Sequence, residues 1–201
     1  MTRGEEMREL KNVEEKILDR ALYLFGKNGS TNVSIRTIAK EAEVNVSAIN
    51  YYFGSKENML SNVQEFYIDN TILAYSELDN EELSDEEKVI LCANEIMEYA
   101  LRYPGVLVMQ REAAELEEKD EMATKIINTT KEMHNKLNNI LSRVIGSEGK
   151  IFEYDRMIFL SSILHPTNGS KIEEFNEEFM ENKQVRIEYI KYILNRLKNN
   201  K

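Results

Sequence analysis

An uncharged group of side chains near the N-terminus is the part of the sequence best suited to contact another molecule. A short predicted helix there has an outer face that carries Val46, Ser47, Ala48, Asn50 and Tyr51. Hydroxyl and amide groups can pair with base edges, and a face without charge can dock on DNA without burying an unpaired ion. This face therefore predicts contact with nucleic acid.

A lysine follows this helix at a position that attracts phosphate. Ser55 is expected to cap the next helix, which puts Lys56 in the first turn of that helix. The free backbone N–H groups of a helix start and a nearby cation together favour an anion. Lys56 is therefore predicted to contact phosphate beside the uncharged face.

Two short helices joined by a tight turn are predicted to position these groups. The apolar residues of the first helix recur at the spacing of one buried face: Ile35, Ile38, Ala39 and Ala42. The inward residues of the second helix are Val44, Ile49 and Phe53. Ser34 and Asn45 are the expected N-caps. This pattern predicts a helix-turn-helix.

The same stretch resembles the TetR family of transcriptional regulators. The matching elements are IA in the first short helix (38–39), YYF after the second short helix, which is the recognition helix of the family (51–53), and SKE at the start of the next helix, helix 4 of the family (55–57). With the preceding helix the resemblance covers residues 12–60, less than a third of the chain. One departure is Glu43 in the turn, where the family commonly has glycine. A positive φ at Glu43 would cost about 1 kcal/mol.

The resemblance implies DNA contacts by Arg36, Thr37, Ser47, Ala48, Asn50, Tyr51, Tyr52 and Lys56. The first two would meet the DNA backbone or a base edge, the next three would face bases, and the last three would hold phosphates. Asn50 can pair with adenine, and Ala48 can touch a thymine methyl group. Tyr52 has an alternative, because it could pack inward beside Phe53.

The composition is typical of an all-α protein. The 201 residues include only two prolines and eight glycines, and no strand-length alternating segment. The single cysteine, Cys92, cannot form an internal disulfide, which favours a reducing compartment. No signal-peptide pattern occurs, and no apolar run approaches about 18 residues. We expect a cytoplasmic protein.

The charge is distributed unevenly along the chain. The net charge is −10, yet residues 1–60 hold nine basic and nine acidic side chains, so the rest of the chain carries the whole excess. A neutral N-terminal part (1–60) and an acidic remainder (61–201) are consistent with DNA binding by the N-terminal part. Residues 1–11 are either a solvated tail, which their interleaved acids favour, or an arm for the minor groove.

We expect two domains and about nine helices. Residues 1–60 would form a three-helix helix-turn-helix domain, and residues 61–201 a larger helical domain for ligand sensing and dimerisation. The helix predicted over 151–164 is apolar on almost every side and needs cover on all sides. By the resemblance, the helices around 151–164 and 178–197 pair with their copies in a homodimer. The alternative is core packing within one subunit.

The resemblance also implies a small ligand among the central helices, and its binding would swing helix 4. Candidate lining residues are Tyr67, Met97, Tyr99, Tyr103, Met109, Met122 and Ile126. Met and Tyr are adaptable and amphipathic, so they suit an unidentified small hydrophobic ligand. The alternative for each is a place in the ordinary core.

Catalytic and metal-binding patterns are missing from the sequence. His134 and His165 lie far apart, Cys92 has no potential metal ligand at close spacing, and no phosphate-binding or nucleophile motif occurs. We therefore expect no enzyme, no cofactor and no metal. The favoured function is a ligand-responsive repressor that binds a palindromic operator as a homodimer.

Two alternatives remain open at this point. The chain could be a TetR-like activator or a DNA-bound adaptor that recruits a protein partner. It could also be a helical binding or enzymatic module whose DNA motif is vestigial. Tyr51, Lys56 and the two intact hydrophobic staples, Val33 with Ile38 and Val44 with Ile49, argue against that.

Overall fold

Helices make up the regular structure of the chain. The computed structural model describes residues 12–117, 119–168 and 181–199, and within these ranges it contains no strand. Its α-helices are α1 (Val13–Asn28), α2 (Ile35–Glu41), α3 (Val46–Phe53), α4 (Lys56–Ala74), α5 (Asp85–Arg102), α6 (Val106–Leu116), α7 (Glu121–Ile145), α8 (Gly149–Leu164) and α9 (Lys183–Lys198). Short 3-10 turns occupy Ser76–Asp79 and His165–Asn168. The all-α prediction is confirmed.

Local capping signals place the helix ends. At the start of α1, the Asn12 side chain accepts a hydrogen bond from the Glu15 N–H at 2.9 Å, and at its end Gly29 adopts φ 67°. Before α5, the Glu87 carboxylate accepts from the Ser84 N–H at 2.9 Å, while Ser84 Oγ accepts from the Glu87 N–H at 3.3 Å. These reciprocal bonds form a capping box.

The chain divides into two compact units, and the first is assembled from two separate stretches. It contains the described residues up to Asp69 together with Arg102–Asn128, whereas Asn70–Leu101 and the described residues from Thr129 onward form the second. A functional boundary near residue 60 stays a prediction, since this division rests on packing alone.

The first unit is built around the packing of α1. This helix contacts α2, α3 and α6, and α2 also contacts α3. The fully buried side chains of this core include Ile17, Leu22, Phe25, Ile38 and Ile49. The three N-terminal helices therefore share a core with a helix from much later in the chain.

The second unit has its own apolar core and one buried polar cluster. Side chains from α5, α7, α8 and α9 fill the core. Arg186 of α9 is 3% exposed, and it donates to Asn94 Oδ1 at 3.1 Å and to the Glu98 carboxylate. Both partners lie on α5, so these bonds fix α9 against that helix.

The helix expected over 151–164 begins slightly earlier, at Gly149, and the residues that the structure describes do not cover it on all sides. Ile151, Tyr154, Met157 and Ile158 are between 49% and 61% exposed. The expected N-terminal tail over 1–11 and residues 178–180 of the last predicted helix lie outside the described residues. Within the described part of the chain, no helix has the length and apolarity needed to cross a membrane.

Candidate nucleic-acid interface

The two short helices begin at the caps expected from the sequence. Ser34 Oγ accepts the Thr37 N–H at 3.1 Å, and Asn45 Oδ1 accepts the Ala48 N–H at 2.8 Å. Ile38 on α2 and Ile49 on α3 are buried in the unit core. Capping at one end and burial of one face together hold each helix in place and leave the opposite face in solvent.

The turn between α2 and α3 contains a residue with positive φ. Glu43 adopts φ 55°, a left-handed conformation that costs a non-glycine residue about 1 kcal/mol. Its carboxylate accepts from Lys16 Nζ on α1 at 3.1 Å. The turn thus keeps the geometry that glycine favours although the residue is a glutamate.

The outer face of α3 is accessible and uncharged. Ser47 and Asn50 are exposed, Ala48 is half-buried, and Tyr51 is 83% exposed. The Ser47 hydroxyl donates to Asn45 Oδ1, so it is already oriented by the cap. Hydroxyl, amide and phenol groups are therefore presented together on one helix.

Tyr52 points outward and not into the core. It is 41% exposed, whereas Phe53 is 5% exposed. The Tyr52 ring meets the edge of the Tyr51 ring with centroids 5.2 Å apart. The Tyr52 ring also lies 6.3 Å from the Phe53 ring between centroids, so Tyr52 is at the surface and neighbours the buried Phe53.

Two basic residues stand at helix starts on either side of α3. Arg36 is exposed in the first turn of α2, next to Thr37, whose Oγ1 lies 2.8 Å from Ser34 Oγ. Lys56 opens α4, and its Nζ donates to Asn32 Oδ1 at 3.1 Å. Because the amide of Asn32 is neutral, this bond leaves the lysine charge in place. The first unit thus holds all eight predicted DNA-contacting residues, and their contacts with DNA stay a prediction.

A buried carboxylate behind this surface was not found by the sequence reasoning. Asp19 on α1 is fully buried and accepts from Tyr103 Oη at 2.6 Å, from Arg102 at 2.7 Å and from Arg20 Nε at 2.7 Å. Burial alone raises the pKa of Asp19, but the Tyr103 hydrogen bond and the Arg102 charge outweigh it, and the pKa lies below 3.8. In the sequence Asp19 is simply one acid in a helix, so only tertiary structure reveals it.

The seven candidate ligand-lining residues are divided between the two units. Tyr67, Tyr103, Met109, Met122 and Ile126 belong to the first unit, and Met97 and Tyr99 to the second. Two hydroxyls have protein partners: Tyr67 Oη accepts from Gln110 at 3.0 Å, and Tyr103 donates to Asp19. Met97 is fully buried in the core of the second unit. A ligand role for these residues stays a prediction.

Two side chains of types often used in catalysis, Cys92 and His134, are held in packed surroundings, whereas His165 is exposed. Cys92 is buried, which raises the pKa of its thiol, and His134 lies 6.2 Å from the Tyr75 ring, with its pKa lowered by burial. Over the described ranges, no group of three or more His, Cys, Asp or Glu side chains is placed to hold a metal ion.

Comparison with known proteins identifies the helix-turn-helix. Residues 17–63 match the model of the bacterial regulatory proteins of the tetR family. Over this N-terminal segment the chain is similar to the TetR-family regulators. Over 57 residues it is 42% identical to the probable HTH-type transcriptional regulator YttP of Bacillus subtilis, an alignment that covers 28% of each chain.

Longer alignments occur at lower identity. The chain is 28% identical over 128 residues to the uncharacterized HTH-type transcriptional regulator YuxN of B. subtilis, covering 62% of this chain and 44% of that protein. The matches thus span less than half the length of YttP and of YuxN. The nucleoid occlusion factor SlmA of Vibrio cholerae is 24% identical over 160 residues, covering 79% of this chain and 82% of SlmA.

Solved transcriptional regulators, among them TetR-family proteins, share the fold over nearly the whole chain. The ketosteroid transcriptional regulator KstR2 of Mycobacterium tuberculosis has a TM-score of 0.69 at 15% identity, covering 93% of this chain and 95% of KstR2. The regulator FadR of B. subtilis, solved in complex with stearoyl-CoA, has a TM-score of 0.55 at 22% identity, covering 92% and 98%. The all-α architecture is therefore that of the TetR family.

Proposed function

We propose that the protein is a homodimeric, ligand-responsive transcriptional repressor that binds a palindromic operator. The outer face of α3 carries this proposal. It is uncharged and largely exposed, and in chain order it follows Arg36 at the start of α2 and precedes Lys56 at the start of α4. A face of this kind suits base edges in a major groove, while cations at helix starts suit the flanking phosphates.

The eight interface residues divide into three groups in this proposal. Ser47, Ala48 and Asn50 read base edges; Arg36 and Thr37 contact the backbone or a base edge. Tyr51, Tyr52 and Lys56 hold phosphates, and their exposure or position in a first helical turn supports that role. Such phosphate contacts set the register of the protein on DNA, and the base contacts supply sequence preference.

Self-association would follow from the exposed face of α8. Ile151, Tyr154 and Ile158 recur at helical spacing with Met157 beside them, and Tyr192 of α9 is 57% exposed. Exposed apolar residues at such spacing favour an interface between copies of a chain. A dimer would place two α3 helices in successive major grooves, about 34 Å apart along the operator.

Residues 61–201 would sense the ligand in the proposed function, with residues 1–60 serving as the DNA-binding domain. A small hydrophobic ligand suits the Met and Tyr side chains named above. The similarity to B. subtilis FadR, which was solved with stearoyl-CoA, is in keeping with a ligand of that general class. Ligand binding would release the operator.

A binding selection on randomised duplexes tests the central part of this proposal. The full chain is incubated with the duplex pool at several salt concentrations, and the recovered sites are sequenced. An enriched inverted repeat is the expected result, with affinity that falls as salt rises. Binding without enrichment, or no binding, would contradict sequence-specific regulation.

A second candidate is a DNA-bound adaptor that recruits a protein partner. Its support is the similarity to V. cholerae SlmA, a nucleoid occlusion factor, across about four-fifths of both chains. The two candidates differ in what changes operator affinity. Titration of hydrophobic small molecules should weaken the complex of a ligand-responsive repressor, whereas an adaptor should retain the operator and bind a protein partner on it.

A further inference from the structure

The loop between α1 and α2 is anchored by α6. The Glu112 carboxylate accepts the Thr31 backbone N–H at 3.1 Å and the Thr31 hydroxyl at 2.6 Å. On the preceding helical position, Arg111 donates to the Gly29 carbonyl at 2.7 Å. These bonds join residues 81 and 82 positions apart in sequence, and all of them lie within the first unit. Thr31 directly precedes Asn32 and Gly29 lies three residues before it, so these bonds to α6 restrain the loop that carries Asn32.

Asn32 in turn holds the lysine that opens α4. Its Oδ1 accepts from Lys56 Nζ at 3.1 Å. Lysine has a long flexible stem, so an acceptor that restrains it before binding lowers the entropic cost of a phosphate contact. A neutral amide does this without cancelling the charge, in contrast to the carboxylate of Glu43 that pairs with Lys16.

We propose that Asn32 is a positioning residue for Lys56, and that Glu112 of α6 sets its position. Movement of α6 away from this loop then weakens the phosphate contact made by Lys56. The inference rests on the proposed DNA-binding function and deepens it, because it gives a route from α6 to the DNA surface within one compact unit.

A double-mutant cycle with Lys56 tests the first step. The dissociation constant for the selected operator is measured against KCl concentration for wild type, Asn32→Ala, Lys56→Ala and the double variant. Asn32→Ala should weaken binding about two- to tenfold, and it should have no effect in the Lys56→Ala background. Asn32→Asp should weaken binding further and lower the salt slope by about 0.9, because a carboxylate would neutralise the lysine.

Asn62→Ala is the matched control for this cycle. It is the same substitution in the same unit, and the Asn62 amide donates to the Asn58 carbonyl of its own helix at 2.8 Å. We expect wild-type affinity and an unchanged salt slope. Thermal unfolding of each variant separates a loss of positioning from a loss of fold.

The second step is tested on α6. Glu112→Ala should weaken operator binding about two- to tenfold, with no effect in the Asn32→Ala background, while Glu115→Ala on the same helix should bind normally. If Glu112→Ala lowers Tm, Thr31→Val replaces it, because that variant removes only the hydroxyl donor. The expected result for Thr31→Val is a smaller loss of affinity that again disappears with Asn32→Ala.

Three outcomes would overturn the inference. If Asn32→Ala weakened operator affinity equally in the Lys56→Ala background, Asn32 would act on DNA or on the fold directly. Normal binding by both Asn32→Ala and Glu112→Ala would remove the route from α6, while the proposed function would stand. Absence of salt-dependent, sequence-specific binding by the wild type would overturn the proposed function and this inference together.

Discussion

At the scale of single residues, the candidate interface separates side chains that can read bases from those that can hold phosphates. Asn50 is exposed in the middle of α3, and its amide has both a hydrogen-bond donor and an acceptor. Lys56 is the first residue of α4, and its ammonium group is hydrogen-bonded to the Asn32 amide. Amide groups can distinguish bases, while an ammonium group contributes to every sequence alike. Alanine substitution of the two residues should therefore affect operator binding in different ways.

Lys56→Ala should weaken binding to all sequences together and lower the salt slope by about 0.9, because one phosphate contact is lost. Asn50→Ala should instead relax the preference at one operator position by about 1–3 kcal/mol. Competition binding with single-position operator variants at two salt concentrations measures both effects. An equal loss of preference from the two changes would refute this division.

The turn residue Glu43 offers a test of backbone strain. Glu43→Gly and Glu43→Ala both remove the ion pair with Lys16, but only glycine relieves the positive φ of 55°. The glycine variant should be more stable than the alanine variant by about 1 kcal/mol. Urea unfolding of the two proteins gives this difference directly. Equal stability would mean that the turn adapts its conformation to the residue present.

At the scale of elements, α1 is the helix that joins the helix-turn-helix to the turn before α6. A Cβ atom added at Gly105 would lie 2.1 Å from the Leu22 carbonyl oxygen, and one added at Gly26 would lie 2.2 Å from the Gly105 nitrogen. The two backbones therefore touch at a pair of glycines. Further contacts link the same segments. Asp19 of α1 bonds to Arg102, and Arg111 and Glu112 bond to Gly29 and Thr31 in the loop after α1.

Gly105→Ala should destabilise the protein by about 3 kcal/mol, since the new methyl group would overlap backbone atoms that cannot move independently. Gly29→Ala is the control, because Gly29 has φ +67° and open space around its added Cβ. Its cost should be about 1 kcal/mol, from the backbone alone. Chemical denaturation compares the two. A smaller loss for Gly105→Ala than for Gly29→Ala would contradict the close packing.

Packing of α1 against Arg102 and Tyr103 should also make stability depend on pH. The pKa of Asp19 is lowered in the folded state, so its contribution is present above the ordinary pKa of 3.8 and is lost as pH falls through the lower folded pKa. Asp19→Asn should lower the free energy of unfolding by about 3 kcal/mol at pH 7. The difference in this free energy from wild type should become smaller below about pH 4.

Urea unfolding of Asp19→Asn and wild type at pH 7, 5, 4 and 3 measures this gap. Asp85→Asn is a suitable control, because Asp85 pairs with Arg143 at the surface, at 2.8 Å, where solvent screens the charges. We expect it to change stability little at any of these pH values. A constant gap between wild type and Asp19→Asn would argue that the carboxylate charge is not what stabilises the cluster.

At the scale of the whole molecule, the described part of the second unit leaves an apolar face of α8 exposed. Met157 and Ile151 are each 61% exposed on α8. A palindromic operator needs two recognition helices in fixed relation, and association through α8 would provide them. Dimerisation and operator affinity should therefore be lost together.

Met157→Glu should convert a dimer to a monomer, because two buried carboxylates would face each other across the symmetric interface. Operator affinity should fall at least about tenfold, since only one half-site is then bound at a time. Light scattering after gel filtration and operator titration give the two measurements. Leu116→Glu, at a similarly exposed position on α6, should leave both unchanged. If the Met157→Glu variant still formed a dimer, the interface would not include this face of α8.

Sequence alone was sufficient for the helix-turn-helix and for the starts of its two short helices. The caps Ser34 and Asn45, together with the apolar spacing of α2 and α3, lie within a few residues of the structure they determine. The positive φ at Glu43 followed from a comparison with the family turn. Local hydrogen bonds and helical periodicity depend on neighbours in sequence, which is why these features could be predicted.

Tertiary structure alone decided which distant segments meet. Asp19 finds Arg102 and Tyr103 across 83 and 84 positions, and Glu112 reaches Thr31 across 81. Nothing in the spacing of these residues predicts their contact, because their partners are set by how α6 and the residues just before it pack on α1. The same packing joins Arg102–Asn128 to the N-terminal helices and makes Asn32 the link between α6 and Lys56. A buried charge is stable only where folding brings its partners to it, and the packing of the core determines which residues those partners are.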